Sequence, residues 1–337
     1  MVSPIVLVTE MEYHKAESVF AGAAGLDCAP APESEDELAQ AVRDRDARHV
    51  VVGIQPYRKA LYEALAPGSV IARFGVGHDG VDKALATARG VFCTNTPGVL
   101  DQSVAEHTIL LIGAAARHLV PLASGMRSAQ WSPQAGSELS GKTLVLIGAG
   151  RIAQAVAKIA AFGYGMQVVG VDVTRREIEG FYTVTDDVDR ALASADFVSL
   201  HFPAAPQNAH YLNAARLERF PRQAWLINTA RGAVVDELAL YDALAEGRIG
   251  GAALDVFERE PYSPASPARD LRTLPNVILT PHVASSTFEA NRRMAERVLE
   301  NIRLAEARRY DRMDLLNRQS GILISPEPNG KIDARGN

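Results

Sequence analysis

The sequence predicts an α/β protein made of two doubly wound domains. Short apolar segments that favour strands alternate with helical segments, which is typical of parallel sheets with crossover helices. The alternation starts again near residue 141, after an irregular stretch. The length of 337 residues fits about two domains, and 47% hydrophobic and 22% charged residues are ordinary for a globular chain.

In the N-terminal part, strands are predicted at 4–8, 50–53 and 70–74, with helices between them at 33–42 and 60–66. Ser34, with Glu37 three residues later, is the predicted N-cap of the first helix. A long helix is predicted at 101–118 because its apolar residues recur at helical spacing. The segment 119–140 contains two prolines and two glycines and is predicted to be irregular.

Beyond this segment, strands are predicted within 141–150 and at 167–172, 196–200, 224–228, 251–256 and 276–280. Each is almost wholly apolar, as expected for parallel strands covered on both faces. Helices are predicted at 151–162 and 287–308, and the second would lead the chain back to the first domain. The tail, 318–337, is predicted to be disordered.

Composition argues against several classes of protein. The net charge is −5 and no basic patch stands out, so no nucleic-acid partner is expected. The longest apolar run, 108–116, is far shorter than the roughly 20 residues of a membrane span, and the N-terminus lacks the features of a signal peptide. Cys28 and Cys93 have neither a disulfide pattern nor metal-ligand spacing. We therefore expect a cytoplasmic protein without a membrane or metal partner.

A glycine-rich turn carries the cofactor signal. Gly148-x-Gly150-x-x-Ala153 follows a predicted strand and opens a predicted helix, as a Rossmann dinucleotide-binding turn requires. Gly148 would allow the tight turn, Gly150 the approach of a pyrophosphate, and Ala153 close packing of helix and strand. Unpaired N–H groups at the helix start, at Arg151 and Ile152, would face the phosphates.

An acidic residue follows at the position that selects the cofactor. Asp172 ends the next strand, nineteen residues after Ala153. Its carboxylate would bind a ribose 2′-hydroxyl and repel a 2′-phosphate, which favours NAD and makes NADP less favourable. Arg175 and Arg176 follow closely and would weaken this preference. The alternative interpretation is an ordinary glycine-rich turn with a surface aspartate.

Charged and imidazole side chains follow three successive predicted strands: Arg231 after the first, Asp255 and Glu260 after the second, and His282 after the third. The carboxyl ends of neighbouring parallel strands meet at one edge of a sheet, where ligands of such sheets bind. The set fits hydride transfer between a nicotinamide and a carbonyl. His282 would exchange the proton, Glu260 would fix its tautomer, and Arg231 would bind a substrate carboxylate and polarise the keto oxygen.

Taken singly, these residues have simpler explanations. Arg231 could pair with Asp236 or Glu237 at a strand end, Glu260 could lie in a solvated turn, and His282 in a loop. Their occurrence together beside a dinucleotide turn favours the functional interpretation. Asp255 would then hold the nicotinamide carboxamide.

The other histidines are interpreted as structural or superficial. A surface position is predicted for His14, His49, His118 and His210. His107 is predicted to pack or to bond within the long helix, and His201 is assigned a structural role at a strand end.

The sequence resembles the D-isomer-specific 2-hydroxyacid dehydrogenase family over nearly its whole length. The segments that carry the resemblance occur in order: RFGVGHDGVD (73–82), TPGVLDQSVAEHTI (96–109), GKTLVLIGAGRIAQAVA (141–157), NTARGAVVDE (228–237), ALDVFEREP (253–261) and LPNVILTPHVASST (274–287).

The resemblance implies a catalytic set of Arg231, Glu260 and His282. It implies a Rossmann NAD-binding domain, 101–288, inserted into a discontinuous, flavodoxin-like substrate domain, 1–100 plus 289–337. A homodimer is also implied. The substrate, a small 2-hydroxyacid or 2-oxoacid, would meet the first domain at Val76, Gly77 and His78, and would meet Arg231. The expected cofactor contacts beyond the glycine turn and Asp172 are Thr229, Ala230, Arg231, Asp255, His282 and Ser285.

Two departures from related enzymes argue against particular substrates. Phosphoglycerate dehydrogenases place arginines after the strand that corresponds to 50–53, where this chain has Gly53-Ile54-Gln55-Pro56-Tyr57 before Arg58, and this argues against 3-phosphoglycerate. Formate dehydrogenases carry a glutamine in place of Glu260, and this argues against formate.

Two other functions remain open on the same scaffold. One is an NAD(H)-sensing binding protein similar to transcriptional corepressors, and the other is a dehydrogenase of an inorganic oxyanion such as phosphite.

Overall fold

The chain folds into two compact units, each built around a parallel sheet. The computed structural model describes residues 3–173 and 177–317. The first unit combines the residues up to Pro97 with those from Asn291 on, and the second is Gly98–Ala290. These divisions lie within three residues of the predicted domain boundaries. The assignment of the first unit to substrate and the second to cofactor remains a prediction.

The first unit contains a five-stranded sheet in which all strands are parallel. In chain order the strands are β1 (Ile5–Thr9), β2 (Asp27–Ala31), β3 (His49–Val52), β4 (Val70–Arg73) and β5 (Phe92–Thr94). Their spatial order, β2-β1-β3-β4-β5, is the flavodoxin-like order. The helices that connect them are α1 (Glu10–Lys15), α2 (Glu17–Ala21), α3 (Glu35–Asp44), α4 (Ala60–Ala64) and α5 (Lys83–Ala88).

Two strands of this sheet were not predicted, for physical reasons. β2 is a partly exposed edge strand and contains Pro30, a residue tolerated at sheet edges but unusual in central strands. β5, at the other edge, has only three residues. Strands of this kind lack the long apolar run from which the central strands β1, β3 and β4 were predicted.

The predicted capping box of α3 does not form. Ser34 is at the N-cap position, but its hydroxyl donates to Oε2 of Glu37 at 2.5 Å and makes no capping bond to the helix backbone in the described structure. A charge-assisted bond to the carboxylate competes with the neutral backbone bond.

The second unit contains a seven-stranded parallel sheet. Its strands are β6 (Thr143–Ile147), β7 (Gln167–Val171), β8 (Thr183–Thr185), β9 (Phe197–Leu200), β10 (Trp225–Asn228), β11 (Gly251–Leu254) and β12 (Val277–Leu279). The spatial order is β12-β11-β10-β9-β6-β7-β8. The chain starts at the centre, moves outward to β8, and returns to place β9 against β6. This reversal is the topological switch point, where ligands of doubly wound sheets bind. The edge strand β8 was not predicted.

The remaining α-helices are α6 (Asp101–Ala116), α7 (Leu119–Arg127), α8 (Arg151–Lys158), α9 (Val188–Ala193), α10 (Ala214–Leu217), α11 (Glu237–Ala245) and α12 (Phe288–Glu306).

The prediction that 119–140 is irregular is wrong at its start, because α7 lies there. Pro121 is the third residue of α7, where a backbone N–H would have no intrahelical partner, so proline removes no helical bond. The predicted helix 151–162 ends as α8 at Lys158 and continues as a π-helical turn, Ile159–Gly163.

Residues near the C-terminal end complete the first unit. Leu316 N–H donates to the Cys93 carbonyl at 2.8 Å, and the rings of Phe92 and Tyr310 stack with centroids 4.6 Å apart. His49 Nε2 lies 3.1 Å from Oε1 of Glu306. The predicted return of the chain to the first domain is therefore seen in these contacts, while 318–337 lies outside the described residues.

The prediction that His49 lies at the surface is wrong, because the residue is fully buried. Its Nδ1 accepts the backbone N–H of Val70 at 3.1 Å, and burial lowers the pKa of the ring to about 4. Its partner, Glu306, is 257 residues away, and no local sequence pattern reports a contact over that separation.

Among the described residues, no single helix is long and apolar enough to cross a membrane. Helices α6 and α7 reach that length and composition only as a pair, and they are bent by 68° relative to each other.

Candidate active and cofactor sites

The turn between β6 and α8 has the geometry that a dinucleotide site requires. Gly148 has a φ of +91°, and a Cβ added there would lie 2.5 Å from the carbonyl oxygen of His201, so the position accepts only glycine. A Cβ added at Gly150 would have no described heavy atom within 4 Å, which leaves the outer side of the turn open. Ala153 is fully buried against the sheet. The outer side of the turn is therefore open beside the start of α8, where the first backbone N–H groups of a helix have no intrahelical partner and can bind an anion.

Asp172 lies at the carboxyl end of β7, beside this turn. Its Oδ2 accepts the backbone N–H of Ala149 at 3.0 Å, which fixes the carboxylate next to the glycine turn. Arg175 and Arg176, which would weaken the NAD preference, lie outside the described residues.

The two predicted cofactor residues that open α8 differ in their surroundings. Ile152 is half-buried, whereas Arg151 is largely exposed and its Nε donates to Oδ2 of Asp101 at 2.7 Å. The Arg151 guanidinium is therefore tied to the start of α6.

Strands β10, β11 and β12 end level with one another. Asn228 of β10 is paired with Leu254 of β11, and Leu254 with Leu279 of β12. The connections that carry Arg231, Glu260 and His282 therefore leave the sheet side by side at its carboxyl edge.

Glu260 and His282 are in direct contact. Oε2 of Glu260 lies 2.6 Å from Nδ1 of His282, and Oε1 accepts the backbone N–H of Phe257 at 3.0 Å. Since the carboxylate can only accept at neutral pH, Nδ1 carries the hydrogen, and Nε2 is the atom left for proton exchange. Both side chains keep some solvent exposure, 28% for His282 and 22% for Glu260. This is the geometry of an oriented acid/base histidine.

Arg231 follows β10 on a turn that Asn228 holds. The Asn228 side chain donates to the Arg231 carbonyl at 2.8 Å and accepts the Ala230 N–H at 3.0 Å. The Arg231 side chain is half-buried, and its Nη1 donates to the Ala230 carbonyl at 2.6 Å. Thr229 is buried, with its hydroxyl 2.9 Å from that of Thr108. The turn is therefore fixed from two sides.

The carboxylates that offered a simpler explanation for Arg231 have other roles. Asp236 caps α11 by accepting the Ala239 N–H at 3.0 Å. Glu237 accepts the Glu258 N–H at 2.7 Å, and Glu258 in turn accepts the Glu237 N–H at 3.0 Å. Burial raises the pKa of Glu237. This reciprocal pair holds the connection after β11, on which Glu260 lies.

Asp255 is fully buried and bonded to the loop that carries His282. Its Oδ1 accepts the Thr280 hydroxyl at 2.5 Å and the Val283 N–H at 2.9 Å, and its Oδ2 accepts the Ala284 N–H at 2.9 Å. Burial acts to raise the pKa of Asp255, but bonds from His107, Thr280 and the two amides outweigh it and lower the pKa. Both oxygens thus have protein donors, and contact with a nicotinamide stays a prediction.

Two residues that support the site, Thr280 and His107, have no local sequence pattern that marks them. Thr280 bonds to Asp255, and His107 Nε2 lies 3.2 Å from the Thr280 hydroxyl, so the prediction that His107 packs or bonds within its own helix is wrong. The only sequence signal for Thr280 is its place two residues before His282. His107 has no such signal, because its contact with Thr280 joins residues 173 apart in sequence.

Ser285 and His201 lie near these loops. Ser285 is half-buried, and its carbonyl accepts the Thr287 N–H at 3.0 Å. His201 Nε2 lies 2.9 Å from the Ser199 hydroxyl, and burial lowers the pKa of the ring to about 4. That contact fits the structural role assigned to His201.

The predicted substrate residues Val76, Gly77 and His78 lie in the first unit, in the loop after β4, and are half-buried. The Val76 carbonyl accepts a hydrogen bond from Nδ2 of Asn95 at 2.8 Å, and His78 Nδ1 lies 3.2 Å from Nζ of Lys83. Arg231, Glu260 and His282 all belong to the second unit.

Comparison with known proteins agrees with the geometry. A family model described as D-isomer specific 2-hydroxyacid dehydrogenase, NAD binding domain, matches residues 109–284. A glyoxylate reductase of Korarchaeum cryptofilum is 40% identical over 280 residues, which cover 81% of this chain and 83% of that protein.

Two solved structures have the same fold. One is an NADPH-dependent glyoxylate/hydroxypyruvate reductase from Sinorhizobium meliloti in complex with NADP and malonate, with a TM-score of 0.77, 31% identity, and coverage of 90% of this chain and 93% of that one. The other is a D-lactate dehydrogenase from Aquifex aeolicus complexed with NAD and lactic acid, with a TM-score of 0.80, 26% identity, and coverage of 93% and 99%.

Proposed function

This chain belongs to the D-isomer-specific 2-hydroxyacid dehydrogenase family, and we propose that it interconverts a small 2-oxoacid and its 2-hydroxyacid with NAD(H). The observation that carries the proposal is the 2.6 Å contact between Glu260 and His282 on the connections beside Arg231. An oriented imidazole next to an arginine, in a unit with a dinucleotide turn, fits the reduction of a carbonyl that carries a carboxylate.

In the proposed mechanism, the bound nicotinamide supplies the hydride for reduction. Arg231 binds the substrate carboxylate and polarises the keto oxygen. His282 donates the Nε2 proton to that oxygen as the carbon gains the hydride, so the product is a neutral hydroxyl. Glu260 keeps the hydrogen on Nδ1 and stabilises the charged ring before transfer. The oxidation follows the same steps in reverse, with His282 as the base.

We assign NAD as the cofactor on the strength of Asp172. Its carboxylate is held at the end of β7 by the Ala149 amide. At that position of a dinucleotide-binding turn, a carboxylate would bind a ribose 2′-hydroxyl and repel a 2′-phosphate, which supports the proposal. Among similar solved structures, one is a complex with NADP and another with NAD. The proposed preference for NAD over NADP therefore rests on this chain's own residues.

A small substrate with a short, uncharged side chain fits the first unit. In the loop after β3, Ile54, Gln55 and Pro56 are exposed and carry no charge, and Tyr57 is fully buried. Arg58, the first basic residue of the segment, follows Tyr57 in sequence. The relatives named above are glyoxylate, hydroxypyruvate and lactate enzymes. We propose that Val76 and Gly77 contribute backbone N–H groups to the substrate carboxylate.

A panel assay tests the proposed function. NADH oxidation is measured with glyoxylate, hydroxypyruvate, pyruvate, 3-phosphohydroxypyruvate and a buffer blank, and each reaction is repeated with NADPH. We expect turnover of at least one of the first three acids, a higher kcat/KM with NADH, and little turnover of the phosphorylated acid. If no acid is reduced while phosphite drives NADH formation, the inorganic oxyanion function replaces this one.

We also propose that the protein is a homodimer whose interface includes α7. None of the nine residues of α7 is buried, and Leu119, Val120 and Met126 are exposed. Leu110 of α6 is 59% exposed and Trp131 is 82% exposed. Exposed apolar side chains that recur within one short stretch of the chain are typical of an interaction surface, and we propose that a second copy of the chain covers them.

The molar mass in solution tests the dimer. Light scattering is expected to give twice the 36.2 kDa mass of the chain, and replacing both Leu119 and Met126 by glutamate is expected to give monomers. Tyr182→Glu, at a side chain that is 78% exposed outside this surface, is the matched control and should leave the dimer intact. A monomeric wild type would contradict the proposal.

We propose a cytoplasmic location because Cys28 and Cys93 are both free thiols. Burial raises the pKa of the Cys93 thiol to about 12 and that of Cys28 to about 11, so neither is activated for oxidation. Unpaired cysteines are typical of a reducing compartment.

A further inference from the structure

Helix α6 directs three polar side chains toward loops at the sheet edge that carries the site. The hydroxyl of Ser103 lies 2.9 Å from that of Thr287, His107 Nε2 lies 3.2 Å from the Thr280 hydroxyl, and the Thr108 hydroxyl lies 2.9 Å from that of Thr229. The other buried residues of this helix are apolar or small. Polar groups on such a face are retained where they have defined partners.

The protons in one of these contacts can be assigned. The Thr280 hydroxyl has a single hydrogen and donates it to the Asp255 carboxylate at 2.5 Å. Its oxygen must then accept from His107, so Nε2 of His107 carries the hydrogen. The same Nε2 lies 3.6 Å from Oδ1 of Asp255. His107, Thr280 and Asp255 form a directed chain of bonds that ends on a buried carboxylate.

The chain continues from Asp255 to the loop of His282. The carboxylate holds the N–H groups of Val283 and Ala284, and the His282 N–H donates to the carbonyls of Asp255 at 2.8 Å and Thr280 at 3.1 Å. His282 has a φ of +53°, a backbone conformation that disfavours residues other than glycine. These surrounding bonds therefore maintain the conformation that points the ring at Glu260.

We propose that His107 is a positioning residue for His282. By donating to Thr280 it orients the Asp255 carboxylate, which fixes the backbone on either side of the acid/base ring. His107 touches none of the reacting atoms in this scheme and acts through Asp255 and Thr280. The inference rests on the proposed function and names a residue that the reaction needs outside the set of Arg231, Glu260 and His282.

A merely structural His107 would behave differently. Its side chain is 15% exposed, so losing it would lower the stability of the unit and leave the ring of His282 in place once the protein is folded. A positioning role predicts a loss in kcat at constant stability and its recovery by any side chain that donates from the same place.

The experiment compares His107→Leu, His107→Gln and Ser103→Ala in the full chain. Glutamine can donate to Thr280 as the imidazole does, whereas leucine fills the space without a donor. Ser103→Ala is the matched control, since it removes the neighbouring contact to Thr287 from the same helix. We measure kcat and KM for the best oxoacid of the panel, the dissociation constant of NADH by fluorescence, the melting temperature, and the deuterium isotope effect with 4-deuterated NADH.

In His107→Leu we expect kcat to fall about ten- to a hundredfold, with KM and NADH affinity within about threefold of wild type. The isotope effect should rise because hydride transfer becomes rate-limiting. His107→Gln should recover most of kcat, and Ser103→Ala should stay within about twofold of wild type. The proposal is overturned if His107→Leu keeps its kcat, if glutamine rescues nothing, or if Ser103→Ala loses as much.

A readout without turnover separates this inference from the proposed function. In NMR spectra of ¹⁵N-labelled protein, the Nδ1–H proton of His282, which is bonded to Glu260, should give a downfield proton signal. This signal is identified by its loss in His282→Ala. We expect this signal to weaken or shift in His107→Leu and to persist in His107→Gln and Ser103→Ala. If wild type reduces no oxoacid but the signal responds as expected, the proposed function fails and the positioning role stands. An unchanged signal in His107→Leu overturns the role.

Discussion

Replacing His282 by alanine is expected to lower kcat for oxoacid reduction by about a thousandfold, which is within the range that a general acid contributes. The reason is the position of Nε2: Glu260 occupies Nδ1 at 2.6 Å, and the ring is the acid placed for the alkoxide oxygen. NADH affinity should change little, because the glycine turn and Asp172 are untouched. The measurements are initial rates with the best oxoacid and fluorescence titration of NADH.

The pH dependence provides the second readout for His282. Reduction needs the protonated ring, so its rate should fall as pH rises and the ring loses its proton; oxidation needs the neutral ring and should rise over the same interval. In His282→Ala both slopes should disappear. The control is His14→Ala, a histidine of the first unit whose side chain is 60% exposed, which should retain near wild-type rates. A wild type whose rates of reduction and oxidation show no opposite dependence on pH would rule out His282 as the acid/base.

Replacing Gly232 by alanine is expected to destabilise the second unit by about 3 kcal/mol or more, at the upper end of overpacking effects. A Cβ at this position would lie 1.8 Å from the carbonyl carbon of Phe257, a backbone atom that no side-chain rotation can move away. Since Phe257 N–H is the partner of Glu260, the displacement should also disturb the Glu260–His282 contact. Thermal or urea unfolding measures the first effect, and kcat at low temperature the second.

The matched control for Gly232 is Gly163→Ala in the same unit. A Cβ there would meet no described atom within 4 Å, and the φ of Gly163 is not positive, so stability should change by less than about 1 kcal/mol. A Gly232→Ala protein as stable as Gly163→Ala would show that the two loops can separate without cost. It would also remove the structural explanation for glycine after Arg231.

This explanation differs from what the sequence suggested. Glycine directly after a strand end usually indicates a tight turn with positive φ, but Gly232 is absent from the residues with positive φ and begins a short 3₁₀ turn. The need for glycine comes from the connection after β11, which passes against it. Two segments about 25 residues apart in sequence meet there, and no local pattern reports such an approach.

The central strands could be predicted because both of their faces are covered. β6, β9, β10 and β11 therefore appear as almost wholly apolar runs, which the sequence shows directly. The edge strands β2 and β8 have exposed positions, β2 contains a proline and β8 has only three residues, so periodicity did not reveal them. Helix α7, with no buried residue, likewise lacked the amphipathic pattern of a monomeric protein.

The catalytic residues of the proposed site could be predicted from the sequence, but the residues that support them could not. Residues that end neighbouring strands must lie close together, so Arg231, Glu260 and His282 could be grouped from their places in the sequence. The side chains that support them come from elsewhere in the chain. His107 reaches Thr280 from a helix 173 residues earlier, and this contact depends on how the helix packs on the sheet.

The discontinuous first unit has a consequence for the order of folding during synthesis. All five of its strands precede Pro97, yet the partners of β3 and β5 come after Asn291. Until they emerge, His49 lacks the Glu306 carboxylate and the carbonyl of Cys93 lacks the Leu316 amide. The second unit, Gly98–Ala290, is continuous and can close on itself while the ribosome still holds the rest. On this basis the part of the protein made first is the last to be finished.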